Sequence, residues 1–385
     1  MQIRTLVATA IAVTVSLGAL AACGSDKHKT TSSTPSGISC TNGTGPWGWC
    51  GDKKTGYLAP NEPDVNAGEN HGKKFVIGIL SPGDIHDHGY YQSFVDEATR
   101  FADAQGGSVT AIGKVAPAAA AQQARNLCRQ KPDMIAIAAS ELKDAIPVAS
   151  EAVCKDTLWY VAGGEGVVQT KYFAQTNDIA SQSGYASGVA AGLIMKDKGI
   201  AKAGFITGFE ATFTTNFAKA WETGIKSQVP KATVVSTYTG DFDKSDLAVE
   251  AYNSMKSQGV GIVYPYLGGA TDAVAIQAAK DQIPVLTPGT DRCASTDPPF
   301  AISVIFSPGD YFAGALERFG AGTLKVGTAL TFHMGVDAVP TVKICKPTGN
   351  EAGVLAQTIA DIGTGKINTG TITGLDDYNG YVPQA

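Results

Sequence analysis

The sequence predicts an α/β protein built from two doubly wound lobes joined by a hinge. From residue 74 onward, short apolar runs of strand length alternate with longer segments that have helical spacing. Turns rich in Gly, Pro, Asn or Asp separate these segments. The chain has 385 residues and 44% hydrophobic content, which is enough for two buried cores.

The first strand and helix of this pattern are also the first candidate for a binding site. Residues 75–80 form an apolar run, a polar loop follows at 81–89, and the segment 90–105 places Phe94, Ala98 and Phe101 at helical spacing. In parallel sheets, ligands bind outside the carboxyl ends of the strands. We therefore expect the loop before Tyr90 to lie beside a ligand.

The alternation continues through two series of elements. The first series has strands at 109–112, 134–138, 158–161 and 172–174 and helices at 118–130 and 142–154. The second has helices at 181–196, 215–228, 244–257 and 271–280 and strands at 202–206, 232–238, 261–266 and 284–287. Further on, we expect strands at 301–306, 328–333 and 338–343 and helices at 310–319 and 351–364.

These elements predict a domain organisation in which the chain leaves the first lobe and returns to it. Residues 1–22 are expected to be a signal peptide, and 23–72 a lipidated cysteine, a tether and a disulfide loop. Lobe 1 comprises 73–177 plus 289–345, lobe 2 comprises 178–288, and 346–385 are a C-terminal helix and tail. Turns near 175–178 and 288–291 are the candidate hinges.

The N-terminus has the features of an export signal. Arg4 precedes an apolar stretch at 6–20, which is of signal-peptide length and too short for a good membrane span. Small residues then precede Cys23, in a pattern that resembles a bacterial lipobox. The resemblance implies acylation of Cys23 and attachment to the extracytoplasmic face of the cell membrane; the alternative is a plain signal peptide with a chance cysteine.

The cysteine count fits an exported protein. Apart from Cys23, six cysteines remain, an even number that suggests disulfides in an oxidising compartment. Six cysteines allow 15 pairings. Proximity favours these pairs: Cys40 with Cys50, Cys128 with Cys154, and Cys293 with Cys345. A metal site is the alternative, but the sequence has no CxxC and only five His. Trp47 and Trp49 lie within the first loop, where they either pack it or contact a ligand or partner.

Charge and motifs argue against several functions. The net charge is −5, and no run of Lys or Arg exceeds two residues, so we expect no nucleic-acid partner. No GxxxxGK[ST], GxSxG or HExxH motif occurs, and we expect neither catalysis nor a cofactor. Asp84, His86, Asp87 and His88 could form an acid–base or metal cluster; a polar, ligand-contacting loop is the simpler interpretation.

Several short motifs, in order, resemble a known family. Residues 87–93 are similar to its Asp-Lys-Ser-Phe-Asn-Gln-Ser loop, and 183–191 resemble its Gly-Ser-Tyr-Leu-Val-Gly-Val-Leu-Ala helix. Similar matches occur at 204–208 with Phe217 and Gly224, at 238–243, at Gly268-Gly269 and at 289–291. The family is the basic membrane protein family, substrate-binding lipoproteins of ABC transporters that include purine-nucleoside receptors.

The resemblance implies a type I periplasmic-binding-protein fold, a monomer that binds a small ligand between its lobes and docks on an ABC permease. By position, Tyr90 stands where the family has a base-stacking Phe, and Phe217 supplies the opposite stacking face. Asp291 would accept hydrogen bonds from sugar hydroxyls. Gly268 would let the backbone approach the ligand. The alternative for Tyr90 and Phe217 is packing alone.

Two positions depart from the family pattern. Tyr91 replaces an Asn, and Phe306 falls where the family has a Lys, so two polar ligand contacts become aromatic. A purine nucleoside is still favoured, and a carbohydrate or another small molecule is the alternative ligand. A sensing receptor without transport and an exported enzyme on the same scaffold are the alternative functions.

Overall fold

A computed structural model describes residues 49–52, 57–60, 74–164 and 167–369. All of these lie in one compact unit, Ser36–Ala385. The predictions for the signal peptide, for Cys23, for Trp47 and Trp49, and for a Cys40–Cys50 disulfide concern residues or side chains outside this described part. Within it, no helix combines the length and apolarity that a membrane span needs.

The described residues form fourteen strands and eight α-helices. The strands are β1 Trp49–Asp52, β2 Tyr57–Pro60, β3 Val76–Leu80, β4 Ser108–Ile112, β5 Met134–Ile137, β6 Leu158–Ala162, β7 Phe173–Asp178, β8 Lys202–Thr207, β9 Thr233–Tyr238, β10 Ile262–Tyr266, β11 Leu286–Gly289, β12 Ile302–Ile305, β13 Ala329–Phe332 and β14 Thr341–Ile344. The helices are α1 Tyr90–Ala104, α2 Ala120–Arg129, α3 Ala180–Lys198, α4 Thr212–Gln228, α5 Ser245–Ser257, α6 Thr271–Lys280, α7 Pro308–Gly320 and α8 Glu351–Gly363.

The first lobe is a six-stranded parallel sheet with helices on both faces. Its strand order is β13-β7-β6-β5-β3-β4. The central strand β5 is buried throughout, as expected when helices cover both faces of a sheet. On one face, the rings of Phe94 and Phe312 stack at 4.3 Å, and Tyr160 stacks on Phe312 at 4.5 Å. These rings join α1 and α7 to the sheet.

The second lobe combines two three-stranded sheets. One has the order β10-β8-β9 and is parallel; the other has the order β11-β12-β14, with β14 antiparallel. A parallel bridge between Val263 and Val285 links them. The two-lobed α/β fold class that the sequence predicted is therefore confirmed.

The return of the chain to lobe 1 is shorter than predicted. Within 289–345, only α7 and β13 join the first lobe, whereas β12 pairs with β11 and β14 pairs with β12. The prediction that the whole range belongs to lobe 1 is wrong for these two strands. The error arose because strand partners are set by tertiary packing and not by local sequence.

A refinement concerns residues 142–154, for which the sequence predicted one continuous helix. The structure has 3₁₀ turns at Ser140–Ser150 and Ala152–Cys154. Pro147 lies inside the first of these segments, where its missing N–H and its ring prevent a continuous α-helix. The following disulfide then holds the segment against α2.

Two of the proposed disulfides are present. Cys128 of α2 bonds to Cys154, with Cα atoms 5.1 Å apart, and Cys293 bonds to Cys345, with Cα atoms 4.8 Å apart. The second bond connects the segment after β11 with the end of β14, two parts of the chain separated by 52 residues. Both pairings that the sequence favoured here are confirmed.

Within residues 74–369, three segments cross between the lobes. They connect β7 with α3, β12 with α7, and β13 with β14. The predicted hinge near 175–178 adjoins the first crossing, but the predicted hinge at 288–291 lies within lobe 2, since β11 continues to β12 in the same sheet. At the third crossing, Gly335 has φ +77°, and a Cβ there would lie 2.2 Å from the carbonyl oxygen of Ile359. α8 therefore packs directly against this crossing.

Candidate functional site

A cavity lies between the lobes, at the carboxyl ends of strands from both. It encloses about 1100 Å³ of space, including the space at its open mouth. From lobe 1 it is lined by Tyr90, Tyr91, Ala139, Ser140, Glu141, Gly163, Gly164 and Asp178; from lobe 2 and the crossings it is lined by Ala180, Ser181, Phe213, Asn216, Phe217, Phe242, Tyr266, Leu267, Gly268, Pro288 and Phe306. This is the position at which open α/β sheets bind ligands.

Aromatic rings form one continuous wall of the cavity. Tyr90 lies 6.0 Å from Phe306 between ring centroids, Phe306 lies 5.9 Å from Tyr266, and Tyr266 stacks on Phe217 at 4.5 Å. The wall crosses from α1 in lobe 1 to β10 and α4 in lobe 2. Such a surface suits a flat ring or the apolar face of a sugar.

Phe217 contributes mainly to packing. Its side chain is 1% exposed and contacts the rings of Phe205, Tyr264 and Tyr266. Tyr266 stacks on it and is more accessible from the cavity. Tyr266, which the sequence analysis did not single out, is thus better placed than Phe217 to offer a ring face to a ligand. Its position as the last residue of a strand is the signal that could have identified it.

Tyr91 is held firmly at the start of α1. Its backbone N–H donates to Asp87 Oδ2 at 3.1 Å, and its hydroxyl lies 3.5 Å from Glu141 Oε1. Its ring lies directly over Gly83, where a Cβ would approach the ring to 2.1 Å. Only glycine at 83 leaves room for this ring.

Gly268 also lines the cavity, and its lack of a side chain has a structural reason. A Cβ at 268 would lie 2.6 Å from Asp243 Oδ1, the oxygen that accepts a 2.7 Å hydrogen bond from the Gly269 N–H. This bond ties the loop after β9 to the loop after β10. Asp243 therefore shapes the cavity edge, whereas Asp241 accepts from the N–H groups of Asp243 and Lys244 just before α5.

Asp291 does not line the cavity. Its carboxylate accepts a 2.9 Å hydrogen bond from Lys343 Nζ of β14 and a 3.0 Å bond from the Cys293 N–H. Gly289, with φ +94°, turns the chain after β11. The contact to sugar hydroxyls that the sequence predicted for Asp291 is not available in this arrangement, because the side chain faces β14.

Two other carboxylates line the cavity, and sequence reasoning missed both. Asp178 is the last residue of β7, and Glu141 follows β5. Burial raises the pKa of the Asp178 carboxyl to about 6, although the Tyr311 hydroxyl acts in the opposite direction. Neither residue belongs to a recognisable motif; their place just after or at the end of a predicted strand was the usable signal.

The polar loop before α1 serves structure and lobe contact. Asp87 is buried and accepts hydrogen bonds from the N–H groups of Gly89, Tyr91 and Gln92, so it caps α1. Asp84 pairs with Lys114 at 2.9 Å. His88 Nδ1 lies 3.3 Å from Asp272 Oδ2 of α6, a contact between the two lobes. These side chains face different partners, which gives no support to a shared acid–base or metal cluster.

Fold and cleft together define a two-lobed α/β protein with a ligand-sized cavity between its lobes. The Bmp family model, described as ABC transporter substrate-binding protein PnrA-like, matches residues 74–352. The chain belongs to this family, so the family resemblance drawn from its motifs is confirmed. Its members are extracytoplasmic solute-binding proteins that bind small molecules and work with membrane permeases.

Solved structures with similar folds include several solute-binding proteins. An ABC transporter solute-binding protein from Aeropyrum pernix K1 has 16% identity and a TM-score of 0.65, covering 76% of this chain and 92% of its own. One from Conexibacter woesei has 18% identity and a TM-score of 0.59, covering 76% and 98%. One from Burkholderia graminis, in complex with D-arabinose, has 14% identity and a TM-score of 0.52, covering 72% and 96%. No curated protein matches the sequence.

Proposed function

We propose that this protein is the ligand receptor of an ABC importer and captures a purine nucleoside between its closing lobes. The observation that carries the proposal is the wall of Tyr90, Phe306 and Tyr266 in an interlobe cavity of a Bmp-family chain. A flat base gains stacking energy on such a wall, and ribose hydroxyls can donate to carboxylates. Closure of the lobes on the ligand would present the closed form to the permease.

A carbohydrate is the second candidate ligand. The related fold from Burkholderia graminis is described with D-arabinose, and aromatic faces with carboxylates also suit sugars. A sensing receptor without transport would use the same cleft. A genomic neighbourhood with permease and ATPase genes would favour import over sensing.

A thermal-shift screen of the mature protein with nucleosides, free bases and sugars tests the ligand. A ligand at a hundredfold excess over its Kd stabilises by about 2.7 kcal/mol, so a true ligand gives a clear rise in Tm. Tyr90→Ala should remove the rise, whereas Tyr172→Ala, at an exposed tyrosine outside the cavity, should keep it. A rise with sugars and none with nucleosides would replace the nucleoside proposal by the carbohydrate one.

We also propose that Cys23 carries a lipid anchor that holds the protein on the extracytoplasmic face of the cell membrane. The support is the run of small residues before Cys23 and the polar tail after it. Membrane fractionation tests the anchor separately from the ligand. The Cys23→Ser variant should leave the membrane fraction, and retention there would count against acylation.

A further inference from the structure

The edge of lobe 1 that faces away from the cavity carries a row of lysines. The sheet of this lobe is parallel, so all of its strands begin at this edge and end at the cavity. A lysine stands two to four residues before each of five strands that are adjacent in the sheet, namely β3, β5, β6, β7 and β13. These residues, called the lysine row below, are Lys74, Lys131, Lys155, Lys171 and Lys325.

The strand register aligns the lysine row. Extended three residues back from the first pairs that join β3, β5 and β6, the register brings Lys74, Lys131 and Lys155 level with one another. Extended four residues back from the first pair that joins β7 and β13, it brings Lys171 level with Lys325. Neighbouring strands lie about 4.8 Å apart, so lysines that are distant in the sequence share an edge about 20 Å long.

The lysine row gives this edge a positive charge. All five side chains are exposed, and none forms an ion pair with a described carboxylate, whereas Lys114 and Lys226 do form such pairs. Three carboxylates also lie at this edge, where α1 ends and where β5 and β6 begin: Asp103, Asp133 and Asp156. The lysines outnumber them, so the edge is positive on a chain whose net charge is −5.

Two exposed apolar side chains lie beside the lysines. Tyr172 is 42% exposed and Val326 is 43% exposed, and the register of β7 and β13 places them next to each other. Lys171 Nζ lies 5.3 Å from the centre of the Tyr172 ring, and the Gly327 N–H donates to the carbonyl oxygen of Phe173 at 2.8 Å. Tyrosine and lysine side chains together suit the boundary between lipid headgroups and water.

The place at which the chain enters this edge indicates the partner. β3 is the first strand of the lobe 1 sheet in chain order, and Lys74 precedes it directly, so the segment that comes from Cys23 enters the sheet at the lysine row. We propose that the lysine row binds the anionic headgroups of the membrane and turns this edge of lobe 1 toward it. This choice of partner rests on the lipid anchor proposed at Cys23, since a basic patch and an anchor reinforce each other at an anionic membrane.

Co-sedimentation of the chain 24–385 with vesicles tests the proposal. This chain lacks Cys23, so acylation cannot contribute, and it keeps every described residue. The probes are vesicles of phosphatidylcholine alone and vesicles that also contain about 30% phosphatidylglycerol, both in about 20 mM NaCl. We expect the chain to partition at least about tenfold more strongly to the anionic vesicles. Most of this preference should disappear in about 300 mM NaCl, because salt screens exposed charges.

Two variants with the same loss of charge locate the binding surface. Lys→Gln at all five positions of the lysine row should reduce the preference to below about threefold. The control has Lys→Gln at five exposed positions of lobe 2 and should keep the preference within about twofold of the parent's. These control positions are Lys196, Lys198, Lys219, Lys231 and Lys280. Both variants should unfold at the temperature of the parent, because exposed lysines contribute little to stability.

Several results would overturn the proposal. Equal partitioning of the parent chain to both kinds of vesicle would do so without any variant. An equal loss in the two variants would also do so, because total charge and not the lysine row would then be responsible. Binding to heparin with none to anionic vesicles would assign the row to a soluble polyanion instead of a membrane.

These results are independent of the proposed anchor and of the proposed ligand. Because salt weakens the contact, the lysine row alone should not hold the Cys23→Ser protein in a washed membrane fraction. Fractionation therefore still tests acylation by itself, and the thermal-shift screen still tests the ligand. Failure of the vesicle experiment would leave both of those proposals standing.

Discussion

At the scale of single residues, Asp178 is a buried carboxylate in the proposed binding site. The carboxyl ends a strand of the first sheet and faces a cavity with a largely aromatic wall. Burial raises the pKa of this carboxyl from its ordinary value of 3.8 to about 6. A carboxylate held where its charge is poorly solvated can be retained because a ligand uses it.

The shifted pKa of Asp178 predicts a pH-dependent stability of the ligand-free protein. Because the folded state holds this proton more tightly than the unfolded state, the free energy of unfolding should fall as pH rises from about 4 through about 6. Above that range, Asp178→Asn should be more stable than the parent by up to about 3 kcal/mol. Near pH 4 the two proteins should differ little.

Urea denaturation at pH 4.5 and pH 7.5 measures this difference, with Asp103→Asn as the exposed control. If Asp178→Asn is the less stable protein at pH 7.5, the carboxylate is instead a net stabilising hydrogen-bond acceptor. In that case, burial of this charge does not destabilise the folded state.

Residue roles were the hardest feature to predict from the sequence. Tyr90 and Tyr91 were found because they follow a loop at the end of a strand, a local pattern. Asp291 has the same local pattern, but its carboxylate accepts a hydrogen bond from Lys343 of β14, which lies 52 residues further along the chain. Asp178 belongs to no motif. Its carboxyl lines the cavity only because the second lobe packs opposite the end of its strand. Contacts between residues so far apart in the chain cannot be predicted from the local spacing of residue types.

At the scale of elements, the sequence was far more informative. Apolar periodicity located nearly every strand and helix of the described chain, because each element must bury one face. It did not predict the 3₁₀ form of 142–154, where Pro147 changes the helix type, and it could not assign β12 and β14 to their lobe. α3 contacts α4 through Gly184, Gly188 and Gly192, whose missing side chains let the two helices approach closely.

The α3–α4 contact yields a prediction on stability. A Cβ at Gly188 would lie 2.1 Å from the backbone oxygen of Trp221, which cannot move without shifting α4. Gly188→Ala should therefore destabilise the protein by about 1–3 kcal/mol, despite the better helix propensity of Ala. Gly353→Ala in α8 is the matched control, since the atoms nearest its Cβ belong to the Asn350 side chain and not to a backbone.

Thermal or urea unfolding of both variants distinguishes packing from propensity. We expect Gly353→Ala to be neutral or slightly stabilising. If the two variants have equal free energies of unfolding, α4 can move away from α3 at little cost. The small residues of α3 would then not be required for packing.

At the scale of the whole molecule, the lobes meet through three crossings and through the loop before α1. The crossings leave the lobes connected along one side of the cavity, while the loop before α1 reaches lobe 2 on the other. The tip of this loop also approaches the loop after β10, where a Cβ at Gly269 would lie 3.7 Å from Asp84 Cβ.

The contact between His88 and Asp272 should weakly stabilise the arrangement in which the two lobes meet. His88 is largely exposed, and exposed ion pairs contribute about 0–1 kcal/mol. His88→Ala should therefore weaken ligand binding by no more than about fivefold, mainly through faster dissociation, because the closed state loses a contact that the open state lacks.

His86→Ala, two residues earlier in the same loop and also exposed, is the control and should bind as the parent does. Stopped-flow dissociation of a bound ligand measures both variants; equal dissociation rates would show that the contact does not hold the lobes together.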